Sequence, residues 1–545
     1  MSNMNTPQAV LDTAHIGDIR GAFGTIRQGD IARRTTWWAR IKTLLAILGP
    51  GLIVMVGDND AGAFSTYSQA GQNYGTTLLW TLALLIPVLY VNQEMVLRLG
   101  AVTGVGHARL ILERFGKFWG AFSVIDLFLL NALTIVTEFI GISLGLDFLG
   151  VPKLLGVGIS AALVMLAAST GDFRRFERFS MVLVAGSLLL IPVFVLIHPP
   201  MGQMVHDFVT PALPHGAKLS DVMLLIIGIV GTTVAPWQLF FQQSYIIDKR
   251  ITPRFIRYER IDLWLGIVLV IVGAVAMIGF VAHGFGGTEA FGNFTDAGGV
   301  AAGLAKYHGR LPGILFALAL IDASIIGAAA VSLSTAYAIG DVLSLKHSLH
   351  RKPSDAKGFY AVYCGLIALA AALVLIPGVP LGLLTNAVQT LAGVLLPSAS
   401  VFLLLLCNDK QVLGPWVNTR WTNIFTAVVV AVLVILSIVL TAAVVFPDIS
   451  ENAIVEILVG GGLLAAVIGI GTMALRAYRV ANREIRIEPQ VRPTRSAQDN
   501  WRMPALSKLR PAVLTPATRV WMGVLRSYLV LAAGMVVYKV ITLAM

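Results

Sequence analysis

Two aspartates, Asp58 and Asp60, flank Asn59 within GPGLIVMVGDNDAGAFSTYSQAGQNYG, Gly49 to Gly75, whose first half is apolar enough to enter a membrane. An ionised carboxylate near the bilayer centre costs about 2.5–3.5 kcal/mol on insertion scales. Two so close together repel each other unless a cation or a proton compensates. A divalent cation compensates both at once. Glycines on both sides break any regular helix, and unwound carbonyls such as that of Gly57 add oxygen ligands, as at the ion sites of broken membrane helices. The competing reading makes Asp58, Asp60 or Asn59 the cap of a second half-helix, and it can hold for one member of the group.

A second interruption lies in GIVGTTVAPWQLFFQQSYIIDKR, Gly228 to Arg250. Gly231, Thr232, Thr233 and Pro236 break an apolar helix near its middle, and Gln238, Gln242 and Gln243 follow. The Ala235 carbonyl and the Gln238 amide offer further oxygens, although an amide here also suits broken backbone groups. Glu138, Asp126, Glu94 and Asp322 are acidic residues in apolar surroundings, readable as an ion or proton pathway or as partners of neighbouring helices. His198, His206, His215, His308, His347 and His350 lie in or beside loops, form no helical metal pair, and read as solvated. Cys364 and Cys407 read as packing residues. No Ser-His-Asp, zinc or nucleotide-binding signature points to an enzyme.

The elements that must carry these residues follow from composition. Of 545 residues 57% are hydrophobic and 13% charged, against about 25% charged in soluble domains; mean hydropathy is +0.80. Runs of roughly 20 apolar residues recur, each long enough to cross a hydrocarbon core. Because no backbone group goes unpaired in lipid, the chain reads as an all-α polytopic membrane protein. Segments fall near 43–70, 76–100, 119–146, 152–170, 178–198, 221–247, 261–285, 310–342, 357–378, 382–407, 423–447 and 453–476, with a weaker thirteenth at 524–545. Basic residues crowd alternate loops: Arg109, Arg114 and Lys117, then Arg174, Arg175 and Arg178, then Lys249 to Arg260, then Lys346 to Lys357. The positive-inside rule makes those loops cytoplasmic, with the N-terminus inside and the plasma (inner) membrane as location. It also accounts for the net charge of +11 without nucleic acid.

The chain divides into an N-terminal cytoplasmic tail, 1–42, expected to be mobile, with Trp37 and Trp38 at the headgroup boundary. A ten-helix core follows, 43–407, in halves near 43–200 and 221–407. Two additional helices, 408–476, precede a basic, Pro-rich cytoplasmic linker, 477–523, and the possible span 524–545. Broken helices in corresponding positions, five spans apart, are the mark of an inverted-repeat secondary transporter, the unwound backbone facing a cavity at the midplane.

These residues resemble the Nramp divalent-metal transporters. There, a helix opening with Gly-Pro runs to Asp-Pro-Gly-Asn, then to Gly/Tyr-Gly and Leu-Leu-Trp. This chain reads Gly49-Pro50, Asp60-Ala61-Gly62-Ala63, Tyr74-Gly75 and Leu78-Leu79-Trp80. Thr232-Thr233-Val234-Ala235-Pro236-Trp237-Gln238 is similar to the family's Ala-Thr-Val-Met-Pro-His-Asn, and Glu138-Phe139-Ile140-Gly141 to its Glu-Phe-Leu-Gly. Gln389 and Pro397 are spaced as in its tenth helix. The resemblance covers roughly residues 40–410 and implies the leucine-transporter-type fold, five plus five core helices with the first and sixth broken and 12–13 spans in all. It implies a site with Asp60 as principal ligand, completed by Asp58 or Asn59, Gln238, Gln389, carbonyls near Gly57 and Ala235, and water.

The departures bear on the cargo. The motif Pro and Asn are Ala61 and Ala63, and the metal-binding Met is Ala235. Without the thioether the site is harder and roomier, suiting magnesium and manganese, a pattern similar to the Nramp-related magnesium branch. The counterparts of the family's proton-carrying groups are Trp237, Gln242 and Ile135, none of which titrates near neutrality as His does. The expectation is a carrier of Mg2+ and/or Mn2+, weakly or not proton-coupled. A membrane potential of 100 mV would supply about 4.6 kcal/mol to an entering dication. Its partners are the divalent metal and the lipid bilayer, with no cofactor beyond the cargo. The alternatives are a proton-coupled Mn2+/Fe2+ symporter, an organic-solute (amino-acid) carrier, which the two aspartates oppose, and a non-transporting receptor.

Overall fold

The computed structural model describes residues 9–377, 381–446, 449–481, 494–512 and a few positions between 522 and 534. A β-hairpin, β1 (Ile19–Gly21) and β2 (Gly24–Ile26), precedes α1 (Trp37–Ile47). The first half then comprises α2 (Pro50–Gly57), α3 (Ala61–Tyr74), α4 (Trp80–Thr103), α5 (His107–Phe115), α6 (Lys117–Phe148), α7 (Lys153–Ala168), α8 (Phe173–Gly186) and α9 (Leu190–Ile197). After α10 (Met201–Val209) the second half runs through α11 (Leu219–Thr233), α12 (Pro236–Asp248), α13 (Ile256–Phe285), α14 (Ala297–His308), α15 (Arg310–Leu343), α16 (Lys357–Val374) and α17 (Leu381–Cys407). A short α18 (Lys410–Leu413), then α19 (Arg420–Val445), α20 (Glu451–Ala481) and α21 (Arg495–Asn500) complete the described elements. Polar caps mark several starts: Thr36, Asp60, Asp172, Asp296 and Thr419 each accept a first-turn amide on a side-chain oxygen.

Among the described residues ten helices are long and apolar enough to cross a membrane. The bent pair Trp37–Ile47 and Pro50–Gly57, at the first segment, and the short Lys153–Ala168 stand at the other two of the twelve apolar segments read from the sequence; most of 524–545 lies outside the described residues.

Packing follows a repeat. Helix α6 lies along α15, its counterpart five spans on. The broken first segment, α2 and α3, packs on α13, and the broken sixth, α11 and α12, packs on α4. Helix α17 meets α11 as α8 meets α2; α16 meets α6 as α7 meets α15. The connecting helices α5 and α14 each rest on both α6 and α15. Exchanging the two five-span halves preserves these neighbours, as an inverted repeat requires. The long central helices therefore form a frame around the two interrupted ones.

The N-terminal segment departs from expectation: from residue 9 it is ordered, not a mobile tail. The Ala22 amide donates to Glu177, whose other oxygen holds Lys249 Nζ at 2.6 Å. Arg178 Nε donates to the Ala22 carbonyl, and Arg250 donates to those of Ala14 and Asp18. Asp12 accepts from Arg351 and from the His347 amide. Burial pushes the Asp12 carboxyl up, but the Arg351 bond and two amide donors outweigh it and hold it at about 2. Strands of three residues have no readable periodicity, and the hairpin's partners Glu177 and Arg178 come from α8, far along the chain.

Of the histidines read as solvated, His198, His206, His215 and His308 are exposed as expected, whereas His347 and His350 are not. His347 is buried, its Nε2 3.0 Å from Asp341 and its ring 5.2 Å from that of His15. Burial alone would pull this imidazole down, but the Asp341 bond outweighs it and raises it to about 9. His350 and His308 bond to the carbonyls of Asp248 and Gly284. Cys364 and Cys407 are free thiols.

Candidate metal site

Helix α2 ends at Gly57, α3 begins at Ala61, and Asp58–Asp60 form the break between them. Asp60 has extended backbone (ψ −172°), and its Oδ1 accepts from the Ala63 amide at 2.9 Å. Capping is thus one role of Asp60, and it leaves the rest of the carboxylate turned inward. Asp58 is completely buried; one oxygen accepts from Gln238 Nε2, and Oδ2 has no hydrogen-bond partner.

The opposing break separates α11 from α12 at Val234 and Ala235. Both residues leave the helical region, and Pro236 at the first helical position restarts the turn. Gln238 therefore lies in the first turn of α12. Its Oε1 accepts from Gln93 Nε2 at 2.7 Å, so its NH2 is the end that faces Asp58. Tyr67 and Thr233 join the two broken helices through a 2.7 Å hydroxyl–hydroxyl bond.

Two glycines allow close approach. A Cβ on Gly62 would fall 1.7 Å from Gln389 Nε2, so α17 brings that amide against the start of α3. A Cβ on Gly327 would fall 2.8 Å from Glu138 Oε2 and 3.1 Å from Asp60 Cβ. Glu138 Oε2 accepts from the Ala61 amide at 3.2 Å, and the Glu138 and Asp60 carboxyls also contact each other. Glu138 Oε1 lacks a partner. Asn59 turns away: its Nδ2 donates to the Val270 carbonyl at 3.1 Å, leaving Oδ1 buried and unpartnered.

The structure thus gathers Asp58, Asp60, Glu138, Gln238 and Gln389 around the breaks, with the backbone of Gly57 and Ala235 at their edges. Among the described residues no Lys or Arg pairs with these three carboxyls, whereas other buried acids have one, as Glu177 has Lys249. Nor, among the described residues, do three or more His, Cys, Asp or Glu side chains form a ready-made metal cluster. Any shell here is built from a few carboxylates with amide and backbone oxygen.

Three acidic residues singled out in the sequence lie elsewhere. Glu94 bonds to Arg98 at 3.0 Å and to Arg260 at 2.6 Å. Asp126 lines a narrow crevice with Phe122, Pro236, Phe240 and Phe402, about 18 Å along α6 from Glu138 at 1.5 Å per residue. Asp322 faces Gly186 on α8. Sequence reasoning passed over Gln93, which orients Gln238, and the Tyr67–Thr233 bridge. The run Asn92-Gln93-Glu94 in an otherwise apolar helix was the available signal; a Tyr on a helix face gave none.

Ten core helices in exchanged halves, interrupted in the first and sixth, define a membrane protein of the leucine-transporter-type inverted-repeat fold. The chain belongs to the Nramp family: the family described as Natural resistance-associated macrophage protein-like matches residues 51–443. Its curated relatives include a divalent metal cation transporter MntH of Latilactobacillus sakei, 26% identical over 75% of this chain and 91% of that protein. Another from Ralstonia nicotianae is 29% identical over 70% and 87%. A crystal structure of the Eremococcus coleocola manganese transporter in complex with an aromatic bis-isothiourea substituted compound shares the fold. Its TM-score is 0.62 at 22% identity, covering 82% of this chain and 97% of that one.

Proposed function

We propose that this protein carries a divalent metal cation, Mg2+ and/or Mn2+, across the membrane by alternating access, with weak or no proton coupling. One observation carries the reading: three buried carboxyls line the interrupted helices and, among the described residues, no cationic side chain pairs with them, while two of their oxygens, Asp58 Oδ2 and Glu138 Oε1, have no donor. Buried charge of that kind calls for a compensating cation. The curated relatives named as divalent metal cation transporters support the cargo class.

Asp60 and Asp58 would be the anionic ligands, with the Gly57 and Ala235 carbonyls and water. Gln389 would contribute after a half-turn of its amide brings Oε1 forward. Gln238 would do so only by releasing Gln93, so its first task is to hold Asp58 in place. Asn59 would have to leave Val270. The absence of sulfur and imidazole among these groups favours a hard ion. Glu138, in contact with Asp60, would exchange a proton locally when the metal enters; nothing titratable links that proton to a longer relay through Gln238, Gln242 or Trp237. The basic loops support a cytoplasmic N-terminal face, and with that orientation the membrane potential would drive uptake.

Purified protein in liposomes, with magnesium or manganese outside and a pH dye inside, tests this. Metal flux without acidification supports an uncoupled hard-metal carrier. Manganese-only flux with stoichiometric acidification would replace it by a proton-coupled symporter, and no metal flux would remove the transport reading.

A further inference from the structure

On the face that carries the N-terminus, away from the breaks, lies a cavity of about 490 Å³ lined by Arg98, Arg254, Arg257 and Arg260. Trp416 and Asp499 complete its wall. The C-terminal segment closes one side: Trp416 Nε1 donates to the Gln498 carbonyl at 3.0 Å, and α21 rests beside Pro253–Phe255. The four guanidinium groups are not equally engaged. Arg98 donates to the Trp416 carbonyl and Asn418 and pairs with Glu94. Arg260 also pairs with Glu94, and Arg254 donates to the Asp30 carbonyl. Arg257 is exposed and, among the described residues, makes neither hydrogen bond nor ion pair.

The position of Arg257 on α13 gives the cavity its meaning. Ile261, Trp264, Leu265, Val268 and Val272 follow it at helical spacing, and all are exposed at 42–56%. In a membrane helix such a stripe faces lipid. Trp264 stacks on Tyr90 with centroids 4.8 Å apart, so the stripe is flanked by an aromatic surface from α4. The cavity wall at Arg257 therefore lies one helical turn from the start of a lipid-facing stripe at Ile261.

We propose that this cavity binds the headgroup of an anionic phospholipid, with one acyl chain along the Ile261–Val272 stripe. Arg257 and Arg254 take the phosphate through charge-assisted, forked hydrogen bonds, while Arg98 and Arg260, held by Glu94, supply field. Basic pockets between membrane helices are suited to such headgroups. Asp499 opposes the anion and tunes the site toward moderate affinity. Binding would tie α13, which supports the broken first segment, to the C-terminal segment.

The test uses the full chain in mild detergent, titrated with dioctanoyl phosphatidylglycerol, dioctanoyl phosphatidylcholine or inorganic phosphate and read by thermal shift and native mass spectrometry. The expected result is saturable stabilisation by phosphatidylglycerol alone. Arg257→Gln weakens it about tenfold, Arg257→Lys less so, and Asp499→Asn tightens it. Because Arg257 has no partner among the described residues, its loss leaves their contacts intact, and the gain in Asp499→Asn cannot come from misfolding. Equal stabilisation by phosphatidylcholine would overturn the proposal, as would wild-type phosphatidylglycerol affinity in Arg257→Gln. Displacement of the lipid by inorganic phosphate with the same arginine dependence would assign the cavity to a soluble phosphate instead.

Discussion

Replacing Asp60 by Asn separates the two roles this residue has at the break. The side chain caps α3 through the Ala63 amide, and Asn caps as well as Asp, so the helix start should change by less than about 0.5 kcal/mol. Ala removes the cap and costs about 1 kcal/mol. The charge is a different matter. Asp60 is buried, and removing one partner of a desolvated charge pair costs about 2–5 kcal/mol. At 1.4 kcal/mol per decade, that is a loss of about 30-fold to several thousand-fold in metal affinity. In metal-free buffer Asp60→Asn should be as stable as the wild type or more so, because the Glu138 carboxyl then faces a neutral amide. The assay is the thermal midpoint of the purified protein against added Mn2+ or Mg2+. Wild type should rise with metal, by about 2.7 kcal/mol at a hundredfold excess over its Kd, while at the same metal concentration Asp60→Asn should gain less than about 1 kcal/mol and lose metal flux in proportion. Unchanged metal-dependent stabilisation in Asp60→Asn would refute the reasoning and leave Asp60 as a cap alone.

Further predictions follow from neighbouring features. Ala235→Met restores a thioether at the second break and should shift preference from magnesium toward manganese and cadmium by about tenfold, read in competition flux assays. Gly62→Ala places a methyl 1.7 Å from the present position of Gln389 Nε2; the protein should fold, but metal flux should fall about tenfold, since small displacements at a binding site have large effects. His347 is raised to about 9 by Asp341 against the pull of burial, above its unfolded value of about 6.5. Its stabilising contribution is thus complete below pH of about 6.5 and disappears as pH rises through about 9. The thermal midpoints of wild type and His347→Gln should therefore differ at pH 6.5 and converge above pH 9.

Both interruptions were legible because the chemistry that breaks a helix is local: Gly, Pro and a capping carboxylate are visible wherever they stand. The repeat was legible for the same reason, since two local signals recur five spans apart. Partnerships were not. Asp60, Asp58 and Gln238 could be named as neighbours of a break, but that Gln238 is held by Gln93, or that Asn59 turns to Val270, depends on how α4 and α13 pack. Glu94 carried the same acidic signal in apolar surroundings as Glu138, and pairing with Arg98 one turn on and with Arg260 of α13 gave it a structural role; only the Arg260 pair depends on tertiary packing. The N-terminal hairpin was hidden because its partners, Arg174, Glu177 and Arg178 on α8, lie about 150 residues away in sequence.

The hairpin also makes the two faces of the repeat unequal. Ahead of the first broken helix, residues 9–35 are fastened by Arg174, Arg178, Arg250, Arg254 and Arg351 to the ends of both halves. Ahead of the second, α10 and its flank are fastened on the opposite face by Thr76 to Asp207 and Trp80 to the Ala212 carbonyl. A structure with perfect internal symmetry would have no preferred direction. This one is bolted on one side and only latched on the other, so any movement that opens the N-terminal face must break those arginine bonds or carry residues 9–35 along with it, a constraint the opposite face does not share.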